Sequence, residues 1–435
     1  MTNKKKKAVV VTWGCTHNQK DSQIIESKLL KNDYQLISKD QIDNANLLVF
    51  NTCTVKTPTE NKIIDTIDKT YSDDKEIYIT GCLAETNYIS LKKRYPKANI
   101  IGIDGSTKFE NKNLLFNENI ILPLFSNINS IEKPLLESNS WNPYIQIVQI
   151  NEGCVNNCSF CATKFARGHL RSFSQDSIIQ SIRSSNAKEI WLTSQDTGCW
   201  GFDNKTNLAS LLEEINKIDR KLKIRVGMGN PNNFIKFLND LVMQFQEDNV
   251  YKFLHLPLQS GSDRILKHMK RGYTVAEFYQ ITDIFKENFS NYTLATDIIC
   301  GYPTETDSEF DETIAAIKRT KPSITNISKF WKRKNTPASK LKQIERTEIN
   351  RRSKELALLC NEIQLDENKK WLGWKGEVIF TEMGIKGGIQ SRNFAYKPIV
   401  VEDHDELLGK RGIVKIVESN ATYFKGNLLE ILDNS

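Results

Sequence analysis

The sequence predicts a three-part α/β protein: an N-terminal parallel-sheet unit, a central partial (βα)6 barrel and a small antiparallel β-barrel at the C-terminus. Short apolar runs alternate with amphipathic ones at the start of the chain. The same alternation recurs six times in the middle, and a Gly-punctuated, β-branched texture replaces it after Trp374. Strands that alternate with helices pair in parallel, whereas short β-branched runs between glycines pair antiparallel. A chain of 435 residues also requires two or three domains.

In the first unit, residues 9–12, 47–51 and 77–80 read as buried strands. Residues 21–30 put Ile24, Ile25, Leu29 and Leu30 on one helical face, with Asp21 or Ser22 as the cap. This unit is assigned residues 1–127, and the polar stretch 128–143 reads as a linker. Six further strands are expected at 145–150, 189–193, 223–226, 253–256, 294–299 and 325–330. Helical spacing lies between them, as for Phe310, Ile314 and Ile317 within 307–319. Six units are too few for a closed eight-stranded barrel, so an open one is expected. One long charged helix over 345–371 ends this second unit, 144–371. The remainder, 372–435, carries GEVIF, IVVED, GIVKIV and GNLLEI, which suit a small β-barrel.

Composition is that of a globular protein, with 39% hydrophobic and 26% charged residues. No stretch approaches the roughly 20 apolar residues that cross a bilayer, and the apolar run at 8–12 is too short for a signal-peptide core. A cytoplasmic protein with no membrane partner is expected. The net charge of +7 is uneven: residues 329–354 hold ten Lys or Arg against two Glu. Such a stripe suits a polyanion such as RNA, and equally a solvated helix face. The tail, with eight basic and nine acidic residues, adds no charge argument for RNA.

Nine cysteines in a long, unsecreted chain point to metal ligands or catalysis more than to disulfides. GCVNNCSFCATKFARG sets Cys154, Cys158 and Cys161 in a CxxxCxxC pattern directly after the apolar run YIQIVQI. They therefore belong at the carboxyl end of the first barrel strand, where such barrels keep their chemistry. Three thiolates can hold three irons of a cubane cluster and leave the fourth open. A zinc site would want a fourth ligand, and only His169 is near in sequence. Cys15, Cys53 and Cys82 each follow an expected strand of one parallel sheet, so they share an edge. Such a trio suits a second cluster, and three structural thiols are the alternative.

These features together resemble the radical S-adenosylmethionine methylthiotransferases. The resemblance spans nearly the whole chain: a Cys-bearing α/β unit, a CxxxCxxC barrel with Phe160 at the usual aromatic position, and a tail similar to the TRAM domain. The stretches CSFCATKFARGHLRS, LTSQDTG, RVGMGNP, KFLHLPLQSGSDRIL, TDIICGYPTET and NISKFWKRKNTPAS look like the archaeal and eukaryotic branch. Members of that branch modify N6-threonylcarbamoyladenosine beside the tRNA anticodon. The resemblance implies two [4Fe-4S] clusters, on Cys154, Cys158 and Cys161 and on Cys15, Cys53 and Cys82, with S-adenosylmethionine cleaved at the first. It places Phe160, Gln195 and Asp196 beside the cofactor. Gln259, Ser260 and Asp297, polar groups at strand ends, suit cofactor contacts, Gln259 and Asp297 foremost. For all the strand-end groups, capping or turn formation is the alternative. The implied partners are the tRNA anticodon stem-loop and an electron donor, not DNA.

Lys164, Arg167 and Arg171 suit either a phosphate or cofactor carboxylate, or a plain exposed loop. His255 reads as a core histidine, and Cys199, Cys300 and Cys360 have no partner spacing. Trp371 and Trp374 are expected to pack the tail against the central barrel. Three departures from the family are Lys332-Arg333-Lys334 in place of Pro-rich sequence, Gly229 in GMGNP, and Cys199-Trp200 after LTSQDTG. The rival functions are methylthiolation of a ribosomal protein and zinc-stabilised RNA binding without catalysis.

Overall fold

Three β-branched runs build the first sheet. β1 (Lys7–Thr12) carries the short edge strand β2 (Gln35–Leu36) on one side. On the other side follow β3 (Leu47–Thr52), β4 (Glu76–Gly81) and β5 (Asn99–Ile100), giving the order β2-β1-β3-β4-β5. Every pairing is parallel, and β3 is buried along its whole length, as a strand covered on both faces must be. The carboxyl ends of β1, β3 and β4 are thereby neighbours on one edge. The computed structural model describes residues 5–103, 132–385, 387–402 and 405–432.

The first helix, Thr16–Lys31, starts five residues before the expected one. Asp21 and Ser22 do not cap it; both are buried within it. Its opening turn is polar, yet His17, Asn18 and Lys20 are buried, because this end faces the second unit rather than the core of its own. That polar face lacks the apolar period by which helices are recognised. The expected boundary at 127 lies outside the described residues. Residues 132–143 of the expected linker are pinned between the units: Lys133, 1% exposed, sits 3.2 Å from both Asp21 and Glu152, and the Trp141 indole donates to Glu26 at 2.6 Å.

The central barrel starts with β6 (Ile145–Gln149), and a short hairpin, β7 (Asn151–Glu152) with β8 (Arg171–Ser172), brackets the cysteine loop. Then come β9 (Glu189–Thr193), β10 (Lys223–Val226), β11 (Phe253–His255), β12 (Thr293–Cys300) and β13 (Ile324–Lys329). Strands β6, β9 and β10 form one parallel trio and β11, β12 and β13 another. They join where the Ile224 N–H donates to Asn249 O and its carbonyl accepts from Tyr251 N–H, at 2.7 and 3.0 Å. The six expected strands thus form an open partial barrel. Val148, Ile190, Ile224 and Leu294 meet Leu211, Phe245, Phe278 and Phe310 of the outer helices in one core. The helix Asp307–Thr320 opens on a capping box between Thr306 and Glu309.

The long helix, Arg346–Lys369, leads into a closed barrel of β14 (Lys375–Met383), β15 (Ile389–Arg392), β16 (Pro398–Val401), β17 (Arg411–Ser419) and β18 (Phe424–Leu432). Four of these strands were expected. The fifth, β15, reads IQSR, too short and polar to declare itself. The β16–β18 pair is parallel and closes the otherwise antiparallel barrel. Trp371 and Trp374 lie against Phe394 inside this small barrel, at 5.8 and 6.2 Å, and not against the central one as expected.

The small barrel docks on the amino ends of the central strands. Lys252 N–H donates to Phe394 O at 2.8 Å, and Thr293 Oγ1 donates to Ala395 O at 2.7 Å. The Tyr396 ring lies 5.0 Å from both Tyr251 and Phe253. Among the described residues no helix is long and apolar enough to cross a membrane.

Candidate active site

The carboxyl edges of the first sheet and of the central barrel face each other across a cavity of about 620 Å³. All six cysteines of the two expected trios line it. Cys15 caps the first helix, Cys53 follows β3, and Cys82 opens the helix Cys82–Thr86 directly after β4. Two glycines make sharp exits possible. Gly81, at φ +87°, leads β4 into Cys82, and a Cβ there would lie 2.4 Å from Thr52 O. Gly153, at φ +72°, precedes Cys154, and a Cβ there would lie 1.9 Å from His169 O.

The Cys154–Cys161 loop is held from three sides. Gln195 Oε1 accepts from Gly153 N–H at 2.7 Å. Lys164 Nζ donates to Cys154 O. Asp196 is buried, and one oxygen accepts from Gly198 and Asn230 N–H, both at 3.0 Å. Its other oxygen accepts from Asn156 and Asn233 amides at 2.9 and 2.7 Å. Asp196 therefore ties the loop to the ends of β9 and β10. Cys158 Sγ accepts from Arg271 Nη1 at 3.2 Å. The neighbouring Cys199 thiol holds Cys154 below the usual thiol value, while burial pushes Cys161 up and carries Cys82 up to about 12. The buried thiols must lose their protons when they take a metal.

The donor set separates a cluster from a single ion. Cys154, Asp196 and Cys199 are the described trio whose ligand atoms lie within 4.8 Å of one another; neither cysteine trio meets that spacing. One zinc-sized ion needs ligands about 2 Å from a common centre. A cubane cluster spreads its ligands over separate irons, which fits thiols that share a cavity without crowding one point.

The other expected residues divide. Gln259 has φ +69°, its N–H donates to Asp297 O at 2.8 Å, and its side-chain oxygen is buried without a partner. Asp297 accepts from Asn326 at 2.9 Å and pairs with His255 Nε2 at 3.0 Å. Burial raises its pKa, but the His255, Asn326 and Arg271 contacts together outweigh that and leave it below the usual range. Phe160 lines the cavity and packs with Tyr302 and Phe330. Ser260 is buried and accepts from Ser262 N–H at 3.3 Å, a turn contact.

His255, expected in the core, faces the cavity. Arg171 pairs with Glu152 at 3.5 Å, and His169 is exposed, outside the cavity lining. Arg167 lines the cavity, but its guanidinium is already engaged: it is buried between the units against Asp21 at 2.8 Å and Glu152 at 2.7 Å. Cys199, expected to be isolated, stands beside Cys154, its thiol 3.1 Å from Asp196 O. Sequence reasoning did not single out Arg225, Arg271, Asn326 and Trp331, which also line the cavity. Arg333, noted only as a departure, joins them and pairs with Glu60 at 2.7 Å.

A CxxxCxxC loop at the mouth of a partial barrel defines the radical S-adenosylmethionine class. Residues 148–317 match the Radical SAM superfamily, and residues 7–102 match the Uncharacterized protein family UPF0004. A structure of the radical S-adenosylmethionine methyltransferase TsrM from Kitasatospora setae is similar in fold. It has a TM-score of 0.55 and 14% identity, covering 77% of this chain and 75% of that one. The cobalamin-dependent radical enzyme OxsB is also similar, with a TM-score of 0.53 and 13% identity, over 81% of this chain and 56% of that one.

Full-length relatives narrow the class. A probable threonylcarbamoyladenosine tRNA methylthiotransferase of Pyrococcus abyssi is 35% identical over 97% of this chain and 99% of its own length. The Archaeoglobus fulgidus protein with the same description is 36% identical over 97% and 98%, and the Homo sapiens threonylcarbamoyladenosine tRNA methylthiotransferase is 32% identical over 95% and 72%. The chain belongs to the threonylcarbamoyladenosine tRNA methylthiotransferases, and it is a radical S-adenosylmethionine enzyme.

Proposed function

We propose that this protein converts N6-threonylcarbamoyladenosine at position 37 of the tRNA anticodon stem-loop into its 2-methylthio derivative. The observation that carries this reading is the convergence of two cysteine trios, from two units of the chain, on one cavity. Cys154, Cys158 and Cys161 would hold one [4Fe-4S] cluster with S-adenosylmethionine, and Cys15, Cys53 and Cys82 would hold the second. When bound, the first cluster would offer an open iron and pass on the donor's electron to break the sulfonium bond, and the second would offer the site of the transferred sulfur, whose methyl group a further S-adenosylmethionine would supply.

The chain's own side chains have separate tasks. Gln195 and Asp196 fix the cysteine loop. Arg271 donates to Cys158 and holds its sulfur in place. Gln259, with a free side-chain oxygen, and Phe160 would line the cofactor, and Asp297 would reach it from the His255 side. Cavity walls drawn from both units would limit the water that reaches the reacting atoms once substrate is bound. The basic segment and the small barrel would hold the stem-loop, largely by phosphates. A cytoplasmic location and a separate electron donor complete the reading. The bounds 1–127, 128–143, 144–371 and 372–435 serve as its working units.

The test is mass spectrometry of nucleosides after anaerobic incubation of reconstituted, reduced protein with S-adenosylmethionine and tRNA bearing threonylcarbamoyladenosine. The methylthio nucleoside is expected. Cys158→Ala should abolish deoxyadenosine formation, whereas Cys82→Ala should keep it and stop thiolation. Deoxyadenosine formed by wild type without a modified nucleoside would discard the substrate.

A further inference from the structure

Seven side chains lining the cavity are Lys or Arg and two are Asp. The buried guanidiniums among them have protein partners: Arg167 has Asp21 and Glu152, Arg271 has Cys158, and Arg333 has Glu60. Arg225 differs. It is the third residue of β10, directly across from Trp191 of β9. Its guanidinium carbon stands 5.6 Å from the Trp191 ring, 5.0 Å from Phe253 and 5.3 Å from Tyr396. Its Nε is buried with no hydrogen-bond partner, as are Arg271 Nη2 and Arg333 Nε and Nη2, but those two guanidiniums each have an acceptor at another nitrogen and Arg225 has none among the described residues. Among the described residues no carboxylate pairs with it. The two cavity carboxylates are engaged elsewhere, Asp196 by four donors and Asp297 by His255 and Asn326.

An aromatic cage steadies a guanidinium but accepts no hydrogen bonds along its edge. A half-buried cation without an acceptor is costly unless a ligand brings one. The planar fork of N–H groups matches a carboxylate in bidentate geometry.

We infer that Arg225, caged by Trp191, Phe253 and Tyr396, is a carboxylate-binding residue of the cavity and takes the threonyl carboxylate of the substrate adenosine. The inference rests on the function proposed above. That reaction brings two carboxylates into the cavity, one on methionine and one on threonine. The cage separates them. Phe253 opens β11, and Tyr396 comes from the barrel docked on the amino ends of the strands, so Arg225 stands toward the floor. The Cys154 loop stands at the opposite, carboxyl ends, and a cofactor whose methionine end is held there keeps its carboxylate there. The threonylcarbamoyl arm is the anionic group free to point down.

The experiment uses cluster-reconstituted full-length wild type, Arg225→Gln and Arg225→Lys. Competition binding compares two anticodon stem-loops, one bearing threonylcarbamoyladenosine and one bearing plain adenosine, and S-adenosylmethionine binding is measured in parallel. Wild type should prefer the modified loop by about tenfold or more, as expected of charge-assisted hydrogen bonds. Arg225→Gln should abolish that preference with affinity for the plain loop and for S-adenosylmethionine unchanged, and Arg225→Lys should keep part of it. A preference undiminished in Arg225→Gln overturns the inference. So does loss of S-adenosylmethionine binding with the preference intact, which would assign the carboxylate to the cofactor. Wild type that fails to modify threonylcarbamoyladenosine tRNA would instead remove the proposed function. Wild type that modifies it without preferring it removes only the role of Arg225.

Discussion

Arg167 shows how much one side chain can carry. It is buried with Asn18 and Asp21 of the first unit and Glu152 of the second, and Lys133 completes the cluster. Arg167→Ala leaves two buried carboxylates short of a partner, so a loss of about 3–5 kcal/mol in unfolding free energy is expected from urea titration. The same cluster sets an acid limit. Burial raises the Asp21 pKa, but Lys133 and Arg167 outweigh it and hold the group at about 2; Glu152 is likewise held well below its usual value. A carboxylate whose pKa falls on folding stabilises fully above its unfolded value and loses that contribution as pH drops toward the folded one. The urea midpoint should therefore fall between about pH 5 and pH 2, and Asp21→Asn should flatten part of that slope. Sequence alone could not tell this arginine from an anion-binding one, because Asp21 lies 146 residues away. The meeting of the six cysteines at one cavity was legible because it is written in residue type and in position after a strand. Arg225 was not, since what distinguishes it is the lack of a partner, which only packing reveals.

Elements deliver the cysteines, and the turns that end them are as specific as the thiols. Gly153→Ala would drive a methyl group against the His169 carbonyl. It is expected to displace the Cys154 loop, with iron and sulfide content after reconstitution falling by about half or more while the fold survives; backbone strain of this kind costs about 1–3 kcal/mol. Iron and melting temperature measured together check this, and full iron occupancy would refute it. All six central strands were readable from their apolar runs. Other elements were not, among them the two-residue strands β2, β5, β7 and β8, the first turn of the opening helix, whose polar residues are buried against another unit, and β15, whose inward Ile389 and Ser391 are too few to set a period. The helix turn is buried by distant chain and the short strands carry too few residues, so neither leaves a local pattern.

At the scale of the molecule, charge and docking decide how RNA could be held. The basic segment is not uniformly available. Arg352 pairs with Glu305 and Glu348, Arg351 with Glu348 and Glu355, and Arg333 with Glu60. Lys332, Lys334, Lys340 and Lys342 are exposed. Changing these four to Gln should weaken tRNA binding and lower the slope of log affinity against log salt by about 2–3, with S-adenosylmethionine cleavage unchanged. Filter binding across a salt series measures it; an unchanged slope would exclude this face. The three-part order was readable because each part has its own texture. The docking was not, because its contacts join residues such as Thr293 and Ala395, 102 positions apart.

The seat of Tyr396 under the central barrel has a consequence for how the molecule comes into being. The ribosome releases the chain from its amino end, so all six cysteines emerge long before residue 396. Until the small barrel has folded and docked, the chamber has its thiols but Arg225 lacks one of the three rings around it. A nascent chain would thus have its six thiols in place before the Arg225 guanidinium is steadied, so one end of the chamber is furnished ahead of the other.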